Sequence, residues 1–160
     1  MTGDTNRALQ YVEPFSLFSS SDIILFQAGS HYRLYEKFGA HPVEVEGANG
    51  TYFAVWAPDA AFVSVVGDFN GWDHYSHTLY PRWDSSGIWE GFVPGVKPGS
   101  LYKYFIRSNG GEELIKGDPY ANYWEVRPKT ASIVHPLDYE WDYKKWMSRR
   151  SQRNALDSPF

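Results

Sequence analysis

The sequence predicts an all-β sandwich, preceded by a short helical segment and followed by a short helix and linker. Three observations carry that prediction. Over residues 50–135 apolar and polar positions alternate with a period of two in about seven short runs, with Gly, Pro, Asn and Asp between them. No helical pattern separates these runs, which excludes a ladder of parallel β–α units. Aromatic residues are abundant: 7 Trp, 12 Tyr and 10 Phe make up 18% of 160 residues, a load that suits strands, a surface for flat ligands, or both.

Residues 1–14 are polar and unpatterned and read as a loose arm. Ser20, Ser21 and Asp22 are N-cap candidates ahead of Ile23-Ile24-Leu25-Phe26. Gly29 interrupts, and a second short helix is expected over 31–38, closed by Gly39 at its C′ position. Tyr32, Leu34, Tyr35 and Phe38 would give it an apolar stripe. Residues 1–40 are therefore set apart as an arm with short helices.

The sandwich is expected over 41–136. Residues 51–57, bounded by Asn49-Gly50 and Pro58-Asp59, form a good strand, and 62–66 form the next. Residues 73–86 read as a long loop, and 88–93 as a strand. Pro94-Gly95 and Pro98-Gly99 then punctuate a turn before a strand over 101–107. There Tyr102, Tyr104 and Ile106 share one face, and Lys103, Phe105 and Arg107 the other. Ser108-Asn109-Gly110-Gly111 is a hairpin turn into a short return strand at Leu114-Ile115, and the last strand covers 131–134. Phe53, Trp56 and Trp89 lie inside strands and are assigned to the core. Trp83 and Trp124 lie in loops and could either join a binding face or fold inward. Over 137–160, Trp141, Tyr143, Lys144, Lys145, Trp146 and Arg149-Arg150 suggest a short amphipathic helix leading into a linker.

Fifteen basic and 19 acidic residues, fairly well mixed, leave a net charge of −4, which disfavours nucleic acid and an anionic membrane as partners, because both need a concentrated basic surface. The absence of cysteine rules out disulfides and thiolate metal sites and fits a cytoplasmic location. No secretory pattern opens the chain, and no apolar stretch approaches the roughly 18 residues that span a bilayer.

No catalytic set stands out. Glu112-Glu113 and Glu44/Glu46 are paired carboxylates, but the first pair adjoins a hairpin turn and the second is expected in a loop, so both read as solvated surface charge. There is no nucleophile elbow and no Gly-rich phosphate loop. Asp73, His74 and His77 make only a weak metal-ligand pattern. No catalytic residue, metal or cofactor is assigned.

A binding constellation remains. Val65-Val66-Gly67-Asp68-Phe69-Asn70-Gly71-Trp72 runs an apolar strand into a tight turn, and Asn70-Gly71 tolerates positive φ. Trp72 at the turn exit offers a flat apolar face with an indole N–H at its edge, which suits stacking on a sugar ring. Asn70, Lys103, Thr130 and Ser132 are the polar candidates around it. Two plainer readings stay open: Trp72 folded back under its own loop, and Lys103 as an ordinary solvent-side lysine.

These residues also carry a family resemblance. Gly67-Asp68-Phe69-Asn70-Gly71-Trp72, Pro98-Gly99 before Leu101-Tyr102-Lys103-Tyr104, Lys116-Gly117-Asp118-Pro119-Tyr120-Ala121 and Arg127-Pro128-Lys129-Thr130-Ala131-Ser132 resemble a family-48 carbohydrate-binding module. From Tyr32-Arg33-Leu34-Tyr35-Glu36-Lys37-Phe38-Gly39-Ala40-His41 through Ala131-Ser132-Ile133-Val134, the chain is similar to the amino-terminal region of bacterial 1,4-α-glucan (glycogen) branching enzymes. The resemblance covers about residues 20–160. It implies an immunoglobulin-like β-sandwich ahead of a catalytic (β/α)₈ barrel, with Ser158-Pro159-Phe160 at the barrel entry. Such a barrel needs about 250 residues, so its nucleophile and acid/base carboxylates are not expected in this chain. The implied partners are that barrel and α-1,4-glucans such as glycogen and maltooligosaccharides. Similar glycogen-binding domains in the β subunit of AMP-activated protein kinase use a Trp matching Trp72 and a Lys matching Lys103, with polar contacts near Thr130 and Ser132. Their second stacking Trp falls near Leu114-Ile115, where this sequence has only aliphatic residues.

Overall fold

The computed structural model describes residues 11–138 and 140–153, without the side chains of 151–153. Most of the expected loose arm (1–10) and the chain end at Ser158-Pro159-Phe160 lie outside the described residues. In chain order the elements are α1 (Ser20–Gln27), β1 (Gly39–Val45), β2 (Ala48–Trp56), β3 (Ala60–Gly67), β4 (Tyr80–Pro81), β5 (Ile88–Pro94), β6 (Leu101–Ser108), β7 (Glu113–Lys116), β8 (Tyr123–Trp124), β9 (Ser132–Ile133) and α2 (Lys144–Arg153). The strands form two antiparallel sheets, as the alternation predicts. The first has the order β1-β2-β5-β4; the second has the order β3-β6-β9-β8, with β7 also pairing along β6.

Period-two alternation fills the space between the sheets. Phe53 and Val55 from the first sheet meet Val63, Val65, Tyr102 and Tyr104 from the second. Strand β2 is buried on both sides, because Tyr52 and Ala54 feed a second core on the far face of the first sheet. That second core is closed by the amino-terminal segment. Phe18, Ile23 and Phe38 pack there, and Phe15 meets Tyr52 edge-on at 5.7 Å.

Polar contacts lock the same segment down. Glu13 pairs with Phe92 and Val12 is buried in the core, so these residues are docked rather than part of a loose arm. The Arg82 guanidinium donates to Glu90 at 2.6 Å, to Ser16 at 2.7 Å and to Asp84 at 2.8 Å, and the Tyr52 hydroxyl donates to Glu90. Helix α1 opens on a reciprocal cap, with the Ser19 N–H donating to Asp22 and the Asp22 N–H to the Ser19 hydroxyl. Burial opposes ionisation of Asp22, yet the two Ser19 donors, His31 and Lys37 hold its carboxyl well below the usual range.

Several expectations change. The second helix is only a 3₁₀ turn, Leu34–Glu36, and Gly39 opens strand β1 rather than ending a helix. Strand β1 carries Pro42, which lacks an N–H and suits an edge strand, the place β1 takes in its sheet. Glu44 therefore lies on a strand, and Glu46 sits in the β1–β2 turn with φ of 49°. The loop over 73–86 contributes β4, and Tyr123-Trp124 forms β8. Trp56 is not in the core: it ends β2 at 57% exposure, touches Phe26 edge-on and donates its indole N–H to the Ser86 carbonyl.

Candidate functional site

The Trp72 turn is built by a single side chain. The Asn70 carbonyl oxygen accepts the Gly67 N–H at 2.9 Å, while its amide nitrogen donates to the Val65 carbonyl and reaches Ser76 and His77. These bonds tie the turn to itself, so Asn70 acts here as a positioning residue. Gly71 and Trp72 then take consecutive left-handed conformations, with φ of 61° and 62°. For a bulky residue that conformation costs about 1–2 kcal/mol. It is held by the Trp72 N–H donating to the Gly67 carbonyl at 2.8 Å. Trp72 emerges 39% exposed, neither folded away nor free.

Strand β6 supplies the next group. Tyr102 and Tyr104 face the core, so Lys103 faces out, as its alternation predicts. Lys103 stands opposite Val66, one residue before the Gly67 from which the Trp72 turn hangs. Asp68 also accepts the Leu101 N–H at 3.1 Å and joins the turn to the start of β6. The Lys103 ammonium donates to the exposed Thr130 hydroxyl at 2.7 Å, which fixes the side chain while leaving two donors unspent. Lys103 and Thr130 thus meet on the outer side of β6, and the Trp72 turn leaves the neighbouring end of β3 one residue past the Val66–Lys103 pair.

Ser132 does not reach that face. It pairs with Tyr102, is fully buried, and its hydroxyl accepts the Asp118 N–H at 2.9 Å. Asp118 is itself buried and accepts from Tyr102 at 2.6 Å and from the Tyr120 N–H at 2.8 Å. Burial pushes its carboxyl up to about 6 against those donors. Burial and the neighbouring Asp118 charge also raise the Tyr102 and Tyr104 hydroxyls.

The two undecided tryptophans separate. Trp83 is 88% exposed beside β4 of the first sheet. Trp124 is 43% exposed and lies in an open groove of about 490 Å³ with Leu101, Val126, Arg127, Lys129 and Ile133. The only sequence signal for its placement is Gly117, since a Cβ there would meet the Trp124 ring at 2.5 Å.

The weak metal pattern resolves into packing. His74 stacks on Phe105 at 4.2 Å, and His77 is buried beside Asn70. Among the described residues no group of three His, Cys, Asp or Glu is placed to hold a metal ion, and no helix is long and apolar enough to cross a membrane.

Residues 37–121 match the family described as carbohydrate-binding module 48 (isoamylase N-terminal domain). Over 144 residues the chain is 50% identical to the 1,4-alpha-glucan branching enzyme GlgB of Desulfitobacterium hafniense (strain Y51), covering 89% of this chain and 23% of that protein. It is 47% identical over 148 residues to the same-named protein of Aquifex aeolicus (strain VF5), covering 92% and 23%. The chain therefore spans about a quarter of the length of these curated relatives. Among solved structures, pullulanase type I from Bacillus subtilis str. 168 complexed with maltose superposes with a TM-score of 0.51 at 25% identity, covering 66% of this chain and 14% of that one. With two packed antiparallel sheets and a family match over more than half its residues, this chain belongs to the carbohydrate-binding module 48 family.

Proposed function

We propose that this module binds α-1,4-glucan on the open end of its second sheet and holds it near the catalytic barrel of a cytoplasmic glycogen branching enzyme. The carrying observation is Trp72, part-exposed at positive φ on the turn that leaves β3 just past the Val66–Lys103 pair, with Lys103 already fixed by Thr130. The sugar's apolar ring face stacks on the indole, and Lys103 and Thr130 take hydroxyls. In this reading residues 41–136 form the binding unit and 137–160 lead toward the barrel.

Energetics set the role. A sugar covering about half of a Trp's roughly 200 Å² gains about 2–3 kcal/mol. A few exposed hydrogen bonds add about 1 kcal/mol each before the cost of association. The sum, near −4 to −5 kcal/mol, is a millimolar to sub-millimolar Kd. Such affinity is weak for a receptor and adequate for a tether, because linkage raises the local glucan concentration.

Affinity electrophoresis in glycogen-containing gels tests this reading. Trp72→Ala is expected to weaken retention by about 1.5 kcal/mol or more, about tenfold, with an unchanged thermal midpoint. Equal retention of variant and parent would remove Trp72 from the site.

A second reading has its own observation. Tyr32, Ile24, Trp56 and Trp83 are exposed on the amino-terminal segment and first sheet, and an apolar surface of this kind suits packing against a barrel. A chain that self-associates yet ignores glucans would favour that reading.

A further inference from the structure

We propose that His74 is a second positioning residue for the Trp72 platform, clamping the loop after the turn onto the second sheet so that the indole is presented in one orientation. This deepens the reading of Trp72 as a sugar platform and rests on it.

The strain in the turn explains the need for a clamp. Gly71 and Trp72 both sit at positive φ, and a bulky residue keeps that conformation only where its surroundings over-determine it. Before the turn, Asn70 supplies the constraint through the Gly67 N–H and the Val65 carbonyl. After it, Ser76 and His77 return to the Asn70 amide, and the His77 carbonyl accepts the Val65 N–H at 2.9 Å. Residues 72–75 therefore form an arch held at both ends. Within the arch the Asp73 N–H donates to the Asn70 carbonyl at 3.2 Å, and the Asp73 carboxylate accepts the Tyr75 N–H at 3.0 Å. These bonds shape the arch without attaching its middle to the sheet.

His74 makes that attachment twice. Its carbonyl accepts from the Ser64 hydroxyl on β3, and its ring lies nearly parallel on Phe105 of β6, 4.2 Å away at 14°. Ser64 and Phe105 are both buried and stand opposite each other across the two strands, so His74 straddles one cross-strand pair. The Val66–Lys103 pair lies two positions along the same strands and on the same side of the sheet. Tyr75 is the weaker holder: it is 60% exposed and meets Phe62 at 5.8 Å and Phe105 at 6.0 Å. A ring fixed two residues after Trp72 limits rotation of the arch, so the indole has less freedom to lose when a sugar covers it.

The test is a double-mutant cycle, read by NMR titration of this chain with maltoheptaose. His74→Ala should weaken binding about fivefold, and by less than about twofold in the Trp72→Ala background, since a residue acting through the indole has nothing to act on once it is gone. His74→Phe keeps a stacked ring and should bind within about twofold of the parent. The heteronuclear NOE of the Trp72 indole N–H should fall in His74→Ala, the mark of faster local motion. That of the buried Trp89, whose indole N–H donates to the Ala57 carbonyl, should stay as it is. Equal losses in both backgrounds would make His74 a sugar contact and overturn the positioning role, as would a His74→Phe chain as weak as His74→Ala. If Trp72→Ala weakens binding and His74→Ala does not, the clamp is wrong and the platform stands. If neither substitution weakens binding, the platform falls and the clamp with it.

Discussion

The two sheets present opposite outer faces. The first is sealed by its own chain: Phe18, Ile23 and Phe38 form a core on it, and Arg82 and Glu90 are buried under the amino-terminal segment. The second is covered mainly at one end, where His74, Tyr75 and Phe62 cover Phe105, although Val66 opposite Lys103 is buried too. Its other end leaves Lys103, Thr130, Trp72 and Trp124 in reach of solvent. The sheets also differ in how they hold charge. Arg82 and Glu90 satisfy each other internally, whereas Lys103 is oriented by a neutral hydroxyl and keeps donors to spare. Burial turns one face into scaffold, and the lack of a cover makes the other a candidate surface.

The sharpest way to break that contrast is to open the sealed face. Arg82→Ala leaves the buried Glu90 carboxylate without its cation and is expected to cost about 3–5 kcal/mol of stability. Denaturant unfolding measures the loss, while glucan retention of the folded fraction should be unchanged. A loss of retention at equal folded population would mean that the two faces are coupled.

Beneath the open face, Asp118 supplies a pH signature. Its folded pKa of about 6 lies above the ordinary 3.8, so between these values the folded chain holds a proton that the unfolded chain has released. Its contribution to stability is complete below about pH 4 and falls by roughly 2–3 kcal/mol as pH rises through 6. Asp118→Asn should flatten that slope in unfolding midpoints measured from pH 4 to 7; an identical slope would contradict the assignment.

The smallest effect belongs to the open face itself. Lys103→Met keeps the stem and deletes the donors, and should weaken maltoheptaose binding by about 1 kcal/mol, roughly fivefold, with little change in melting temperature. Calorimetric titration would show it, and wild-type affinity would return Lys103 to ordinary surface charge.

Legibility in the sequence follows the same division. Where alternation and hydropathy agree, as along Tyr102-Lys103-Tyr104-Phe105, the strand and both its faces could be read in advance. The Asn70-Gly71 turn was equally plain, because its chemistry is local. Strand β1 was hidden by Pro42, whose tolerance depends on an edge position that only the assembled sheet defines. Ser132 and Ile133 invert the usual pattern: the polar residue faces in to meet Asp118, and the apolar one is partly exposed. Only the pairing of Ser132 with Tyr102 reveals it. Trp56 reads as core because it lies inside an expected strand, yet it ends β2 exposed, and nothing in the loop sequence around Trp124 specifies its packing on Gly117.

A proton–nitrogen NMR titration of this chain with maltoheptaose, followed at backbone amides and indole N–H groups, tests the central contrast most directly. Saturable shifts are expected at the Trp72 indole and at the Lys103 and Thr130 amides, with Trp56 and Trp83 of the first sheet unmoved. Shifts confined to Trp56 and Trp83, or none up to tens of millimolar, would contradict it.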